Sequence, residues 1–321
     1  MINKIKNLIN SCENIVVLGH VNADGDSLCS SYALREVLES MGKKVVCLHE
    51  ENPGDKYNFL SDEYAVFNED EEYKFDIAIA VDCGDDTRLG SRISVFENAL
   101  HTINIDHHRT NNNFAEINIV KPHYCAAAEV LAKLYSDMEI QISDNTARLL
   151  YTGIMSDSGC LKYSNTSPST LRIVAELMEH DFDHSEMTRL LFDNKSMELT
   201  KLSGYVMNNV ESFVDGKITI ISTDSKLLEQ YNVDERDAGD LINIPRSISG
   251  SEIAIELKER SGEVRVSLRS NGKAQVDRIA GVFGGGGHLK AAGATMSNMT
   301  LESAKIAILD AAVEELKRCC I

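Results

Sequence analysis

Eight cysteines are scattered along the 321 residues, yet no two of them form a CxxC pair. That spacing fits neither a zinc knuckle nor a disulfide framework, so a reducing cytoplasm is the expected home. No apolar run approaches the length of a membrane span, and no transmembrane helix is expected. The opening stretch MINKIKNLINSCEN has lysines without a following apolar core, so no signal peptide is expected either. Low-complexity and disorder-like segments are missing. Basic residues are few: 32 Lys and Arg stand against 50 Asp and Glu, a formal net charge of −18. Such a chain repels long nucleic acid, whose affinity comes mainly from neutralised phosphates. It remains compatible with short phosphorylated ligands held in a local basic or metal-lined pocket. One basic bias does occur over 258–290, with seven basic residues against three acidic, and a solvated face accounts for most of it.

What is present is an alternation of buried strands and amphipathic helices. NIVVLGH (14–20) reads as a buried strand. Residues 26–42 read as a helix with Leu28, Tyr32, Val37, Leu38 and Met41 near one face and Gly42 as its stop. Further strands are expected at 43–49, 75–85 and 102–106, the second of them continuously apolar, as a parallel strand covered on both faces should be. Helices follow near 126–136, 143–156 and 167–180. Residues 184–213 read as one continuous helix. After it, 217–222, 251–259 and 262–270 alternate like half-buried strands, and 300–318 is a closing amphipathic helix with Thr300 as N-cap. The pattern predicts an α/β protein of two domains. The first (1–185) is a doubly wound, mainly parallel sheet. A helical linker (186–213) leads to a smaller α/β domain with a mixed sheet (214–321), and the active site is expected in the cleft between the domains.

Ligands of open α/β sheets sit beyond the carboxyl ends of the strands, and acids gather there. His20, Asp24 and Asp26 follow the first strand, Asp82 terminates another, and the triplet Asp106-His107-His108 ends a third. Asp157 follows the helix through Met155. Four carboxylates (Asp24, Asp26, Asp82, Asp157) converging without partners would repel strongly. Two divalent cations would cancel their charge. With neutral His20 and His107 the ligand set mixes nitrogen and oxygen, which suits manganese, iron or zinc more than calcium, with magnesium less natural. The competing reading is that Asp26 merely N-caps its helix and that Asp24-Gly-Asp26 is a tight turn. Four such motifs at successive element ends argue against coincidence.

GHVNADGDSLCSS, VDCGD, DHHR and SDSG resemble the four motifs of the DHH phosphoesterase superfamily. VSLRS (266–270) and GVFGGGGHLKAAGA (281–294) resemble its associated C-terminal substrate-binding domain. The layout is most similar to the bacterial NrnA-type group, nanoRNases that also dephosphorylate 3′-phosphoadenosine 5′-phosphate. The resemblance implies one metal on His20, Asp24 and Asp82, and a second on Asp26, Asp82, His107 and Asp157, with Asp82 bridging. It implies two divalent cations, manganese first, with magnesium, iron, zinc or cobalt as alternatives. Asp106 would orient a ligand imidazole, and His108 would meet the substrate as a phosphate contact or general acid. Arg109 would help position the phosphate, and Arg269, Ser270, Gly285, Gly286, Gly287 and His288 would bind the rest of the substrate. One departure is Tyr124-Cys-Ala-Ala-Ala-Glu129, which lacks the hydroxyls usual in the family before that glutamate.

The expected activity is manganese-dependent hydrolysis of oligonucleotides of two to five residues to mononucleotides, removal of the 3′-phosphate of 3′-phosphoadenosine 5′-phosphate, or both. Partners would be short RNA or DNA oligonucleotides or the nucleotide bisphosphate. No membrane or long nucleic acid is expected, and a homodimer is possible. The enzymatic alternative is a phosphodiesterase for linear or cyclic dinucleotides (pApA, cyclic di-AMP); the non-enzymatic one is a nucleotide-binding sensor. The Gly-rich ending disfavours a family II pyrophosphatase, and the acidic chain advertises no long DNA track of the RecJ kind.

Overall fold

A computed structural model describes residues 2–53, 57–60, 64–260 and 262–320. The chain divides into two compact units, Met1–Asn194 and Lys195–Ile321. In chain order the first contains α1 (Ile2–Ser11), β1 (Asn14–Leu18), α2 (Gly25–Ser40), β2 (Lys44–His49), β3 (Ala65–Val66) and β4 (Ile77–Val81). A 3-10 helix (Asp86–Arg92) leads into α3 (Ile93–Glu97), β5 (His101–Asp106), β6 (Ile117–Val120), α4 (Ala127–Asp137), α5 (Asp144–Asp157), α6 (Pro168–Leu177) and α7 (His184–Phe192).

The first sheet runs β3-β2-β1-β4-β5-β6, and every pairing is parallel. Its central strands are apolar at successive positions because both faces are covered. Ile15, Val17, Ile79 and Ile103 meet α2, α4 and α5, while Val16, Leu18 and Ala80 pack with Leu89, Val95 and Phe96 from the 3-10 helix and α3. Strand order reverses at β1, since β2 lies on one side of it and β4 on the other. The carboxyl ends of β1, β4 and β5 therefore stand side by side at a topological switch point.

The second unit holds α8 (Met197–Asn208), β7 (Glu211–Phe213), β8 (Ile218–Asp224), α9 (Ser225–Tyr231), α10 (Asn243–Arg246), β9 (Ile253–Arg260) and β10 (Glu263–Ser270). It ends with α11 (Val276–Val282), β11 (Gly286–His288), β12 (Ala291–Ser297) and α12 (Leu301–Arg318). Its mixed sheet runs β11-β12-β10-β9-β8-β7, with β8 and β9 parallel and the other pairs antiparallel. Thr300 caps α12 by accepting the Ser303 N–H at 3.2 Å.

The single helix expected over 184–213 is not formed. The chain leaves helical form after Phe192, restarts at Met197 and enters β7 at Glu211. Ser196 is the reason for the restart: its side chain accepts the Leu199 N–H at 3.0 Å, an N-cap that starts a new helix.

Candidate metal centre

The acids and imidazoles foreseen at the element ends do meet in the first unit. His20 Nε2 lies 3.5 Å from Asp82 Oδ2 and 3.8 Å from Asp24 Oδ1. His107 Nε2 lies 3.3 Å from Asp82 Oδ1 and 3.3 Å from Asp157 Oδ2. The groups of candidate ligand atoms that result include His20-Asp24-Asp82, Asp82-Asp106-His107-His108 and Asp26-His107-Asp157, the atoms of each within 4.8 Å of one another. Ligands at about 2.1 Å from one ion stand about 3 Å apart when adjacent, so these spacings need little contraction around a cation.

Asp82 links the groups, and its backbone is committed to the task. Its φ is +60°, the left-handed region that few non-glycine residues occupy. Its N–H donates to Ile105 O at 2.9 Å, fixing the end of β4 against β5. The side chain is buried, and Oδ1 has no hydrogen-bond partner among the described residues. A buried carboxylate oxygen without a partner is costly unless a cation completes it. Burial opposes ionisation of Asp82, yet His107, His20 and His108 outweigh it and hold the carboxyl well below its usual range. Both imidazoles have Nδ1 engaged by a backbone carbonyl: His20 donates to Val21 O at 2.8 Å and His107 to Tyr124 O at 3.3 Å. With Nδ1 so engaged, Nε2 is the ring atom that faces the acids and the one that would ligate a cation once its proton is given up.

Asp24, rather than Asp26, is the N-cap of α2, with Oδ1 accepting from the N–H groups of Asp26 and Ser27 at 3.0 and 3.1 Å. The capping alternative for Asp26 is therefore overturned. Asp26 is fully buried, and its carboxylate reaches across to the start of α4, accepting Ala127 N–H at 2.6 Å and Ala128 N–H at 3.0 Å, with Ser30 Oγ–H at 3.0 Å. Helix α4 has no side-chain cap of its own after Ala126, so a residue from α2 caps it. Burial foremost, then Asp82 and Asp157, push the Asp26 carboxyl well above its usual range, and burial pushes Asp157 up to about 7. Cation binding would relieve both.

The Tyr124–Glu129 departure acquires a physical account here. Its backbone, rather than hydroxyls, does the binding: Ala127 and Ala128 hold Asp26, and Cys125 N–H donates to Glu129 Oε2 at 2.8 Å, beside Thr170 Oγ1–H at 3.0 Å.

Asp106 pairs with a different histidine from the one expected. Its Oδ1 lies 2.7 Å from His108 Nδ1, so it orients His108 and not the ligand imidazole His107. The adjacent backbone explains this, since Nδ1 of His107 is already taken by Tyr124 O. Asn111 Nδ2 donates to the other oxygen of Asp106 at 2.6 Å and lies 2.8 Å from Asn104 Oδ1. Burial works against the charged form of His108, and Asp106 overrides it, raising its pKa. Arg109 is exposed on the following turn.

Sequence reasoning missed Asn111, Asn104, Arg88 and Arg92. An Asn inside the apolar run TINID was a signal for the second. Arg92 is buried and donates to Gly19 O at 2.9 Å and Leu48 O at 2.7 Å, tying the ends of β1 and β2. Arg88 Nη2 stands 3.1 Å from His20 Nδ1.

In the second unit, Arg269 on β10 pairs with Ala291 on β12, which pairs with His288 on β11, so Arg269 and His288 occupy one row across three strands. Ser270 Oγ accepts from Lys290 Nζ at 3.3 Å. The glycine run is partly strand, since β11 takes in Gly286 and Gly287. A Cβ at Gly285 would meet Gly293 O at 2.1 Å, and one at Gly287 would meet Ala291 O at 2.6 Å. Close strand pairing thus demands those two glycines, while Gly286 is exposed with open space around its Cα.

Residues 14–154 match the DHH family, N-terminal domain, and residues 217–318 match the DHHA1 domain. A Thermus thermophilus protein named bifunctional oligoribonuclease and PAP phosphatase NrnA is 32% identical over 95% of this chain and 90% of its own length. The Bacillus subtilis protein of that name is 25% identical over 88% of this chain and 90% of its own. The crystal structure of an exopolyphosphatase-related protein from Bacteroides fragilis is similar with a TM-score of 0.90 at 26% identity, covering 99% of this chain and 96% of that one.

Proposed function

The chain belongs to the DHH family, and on that premise we propose that it is a metal-dependent phosphoesterase. Its substrates are short oligonucleotides, cleaved to mononucleotides, and 3′-phosphoadenosine 5′-phosphate, which loses its 3′-phosphate. The names of the Thermus thermophilus and Bacillus subtilis relatives support the substrate class. The observation that carries the chemistry is Asp82: buried, left-handed, with one oxygen unsatisfied among the described residues, and shared by the ligand group around His20 and the one around His107 and His108.

His20, Asp24 and Asp82 would hold one divalent cation, and Asp26, Asp82, His107 and Asp157 the other. Manganese is the first choice for this mixed donor set. Two such cations supply Lewis acidity to the phosphoryl group and a water of lowered pKa. The protein's own groups do the rest. His108, held by Asp106 and favoured in its protonated form, hands a proton to the leaving alkoxide. With Nδ1 committed to Asp106, Nε2 is the atom that passes the proton. Arg109 steadies the phosphate, and Arg269, Ser270 and Gly285–His288 bind the nucleotide. The acidic chain disfavours long polyanions, in keeping with a short substrate.

The test is release of mononucleotide from a labelled dinucleotide with manganese present, beside 3′-phosphoadenosine 5′-phosphate and a cyclic dinucleotide. Turnover of the first two by the wild type, abolished in Asp82→Ala, is expected. Equal turnover by the two proteins would refute a metal-dependent phosphoesterase.

A further inference from the structure

The 3-10 helix after β4 is fastened to the loop that carries His20. Val21 N–H donates to Arg88 O at 2.8 Å. Two residues on, Gly90 has φ +60°, and a Cβ there would meet Val21 Cγ1 at 2.5 Å. Arg92, only 1% exposed, anchors the segment's far end on Gly19 O and Leu48 O. Residue 88 is thus fixed beside the ring of a candidate ligand by three separate constraints, although its own side chain is exposed.

The guanidinium it presents has no acceptor there. His20 Nδ1 is 2.8 Å from Val21 O, and a carbonyl only accepts, so Nδ1 carries its hydrogen toward that oxygen. An arginine N–H also only donates, so Arg88 Nη2, 3.1 Å from the same nitrogen, makes no productive hydrogen bond with it. Arg88 forms no ion pair with any described residue. Arg92, by contrast, is saturated by three backbone carbonyls and Glu50. A permanently charged, planar donor held at the edge of an acidic centre, with its donors unspent, suits a phosphoryl oxygen.

We infer that Arg88 is a substrate-contacting residue, its guanidinium donating to a non-bridging oxygen of the phosphoryl group bound on the His20-Asp24-Asp82 side of the centre. This role rests on the phosphoesterase reading above. Four carboxylates offset by two divalent cations leave no net positive charge for the phosphate, and Arg88 supplies one.

The experiment compares wild type, Arg88→Ala and Arg88→Lys as full-length, manganese-loaded proteins. Four quantities are read: thermal stability by melting, manganese affinity by calorimetry, equilibrium binding of AMP to the loaded protein, and kcat/KM on a dinucleotide. Expected are unchanged manganese affinity and thermal stability, and a loss of about 10- to 100-fold in AMP affinity and kcat/KM for Arg88→Ala, as removal of a charge-assisted contact produces. Arg88→Lys falls between. AMP affinity equal to wild type in Arg88→Ala overturns the inference. So does a fall in manganese affinity matching the fall in activity, since Arg88 would then act on His20 alone. A wild type inert on every phosphoester refutes the phosphoesterase reading, and the AMP measurement still decides Arg88.

Discussion

Asp106 Oδ1 sits 2.7 Å from His108 Nδ1 and makes no contact with Nδ1 of His107, which a main-chain carbonyl occupies. The two adjacent imidazoles are therefore held by different partners and separable by mutation. His107→Ala should deplete bound manganese. His108→Ala and Asp106→Asn should keep the metal and lose turnover, by about 10²- to 10⁴-fold for the histidine. Metal analysis beside kinetics checks this, and equal metal loss in the two histidine variants would refute the division of roles.

Gly153 of α5 lies against the Asp26 carboxylate. A Cβ there would meet Ala128 Cβ at 2.8 Å and Asp26 Oδ1 at 2.9 Å. Gly153→Ala should therefore destabilise by about 1–3 kcal/mol through overpacking and disturb the contact between Asp26 and α4. The checks are a thermal melt and a manganese isotherm. A variant with wild-type values in both would mean that α2, α4 and α5 yield more easily than their packing implies.

Asp157 is held at about 7, chiefly by burial, with Asp24 and Asp82 adding to it. A carboxyl must lose its proton to bind a cation, so binding should release protons, and manganese affinity should weaken below pH 7, by about tenfold per unit for each proton displaced. Calorimetry in two buffers of different ionisation enthalpy counts those protons. A count of zero at pH 6.5 would contradict the assignment of Asp157 as a ligand.

Glu256 of β9 is fully buried with neither carboxylate oxygen hydrogen-bonded among the described residues, and Lys258 Nζ is 3.4 Å from Oε1. Burial raises its pKa from 4.5 to about 7, against the opposing pull of Lys258. The native state thus keeps a proton that the unfolded chain releases. Its stabilising effect is complete below about pH 4.5, is lost as pH rises to about 7, and is flat above. Glu256→Gln should exceed wild-type stability at pH 8 by about 2–3 kcal/mol and show little gain at pH 5. Melting temperatures that run parallel from pH 5 to 8 would rule this out.

The parts of the centre legible in the sequence are those whose signal is local. An apolar run ended by an acid names Asp82 and Asp106 and the end of β4 and β5, and the spacing around Gly25 names Asp24 and Asp26. The illegible parts depend on distant partners. Nothing near Asp26 announces that Ala127 and Ala128, about a hundred residues later, will donate to it. The choice of Asp106 between two histidines depends on Tyr124 O. Arg88 is one of several arginines until Val21 and Gly90 fix its backbone. Edge strands such as β3 and β6 are too short for periodicity to register, and the glycine run hides its strand because its pairing is backbone alone. Ser196 did carry a readable signal for the helix break, outweighed by the apolar pattern on either side of it.

The order of the strands also governs the protein's synthesis. The first pieces of the centre, His20, Asp24 and Asp26, leave the ribosome early, but β1 lies inside the sheet and is flanked by β4, which is made later. Asp157 and the α4 amides that receive Asp26 come later still. A nascent chain ending before α5 holds a cluster of acids without its full complement of donors. On the proposed ligand assignment, a product that ends before α5 would lack Asp157 and would bind a divalent cation more weakly than the full chain.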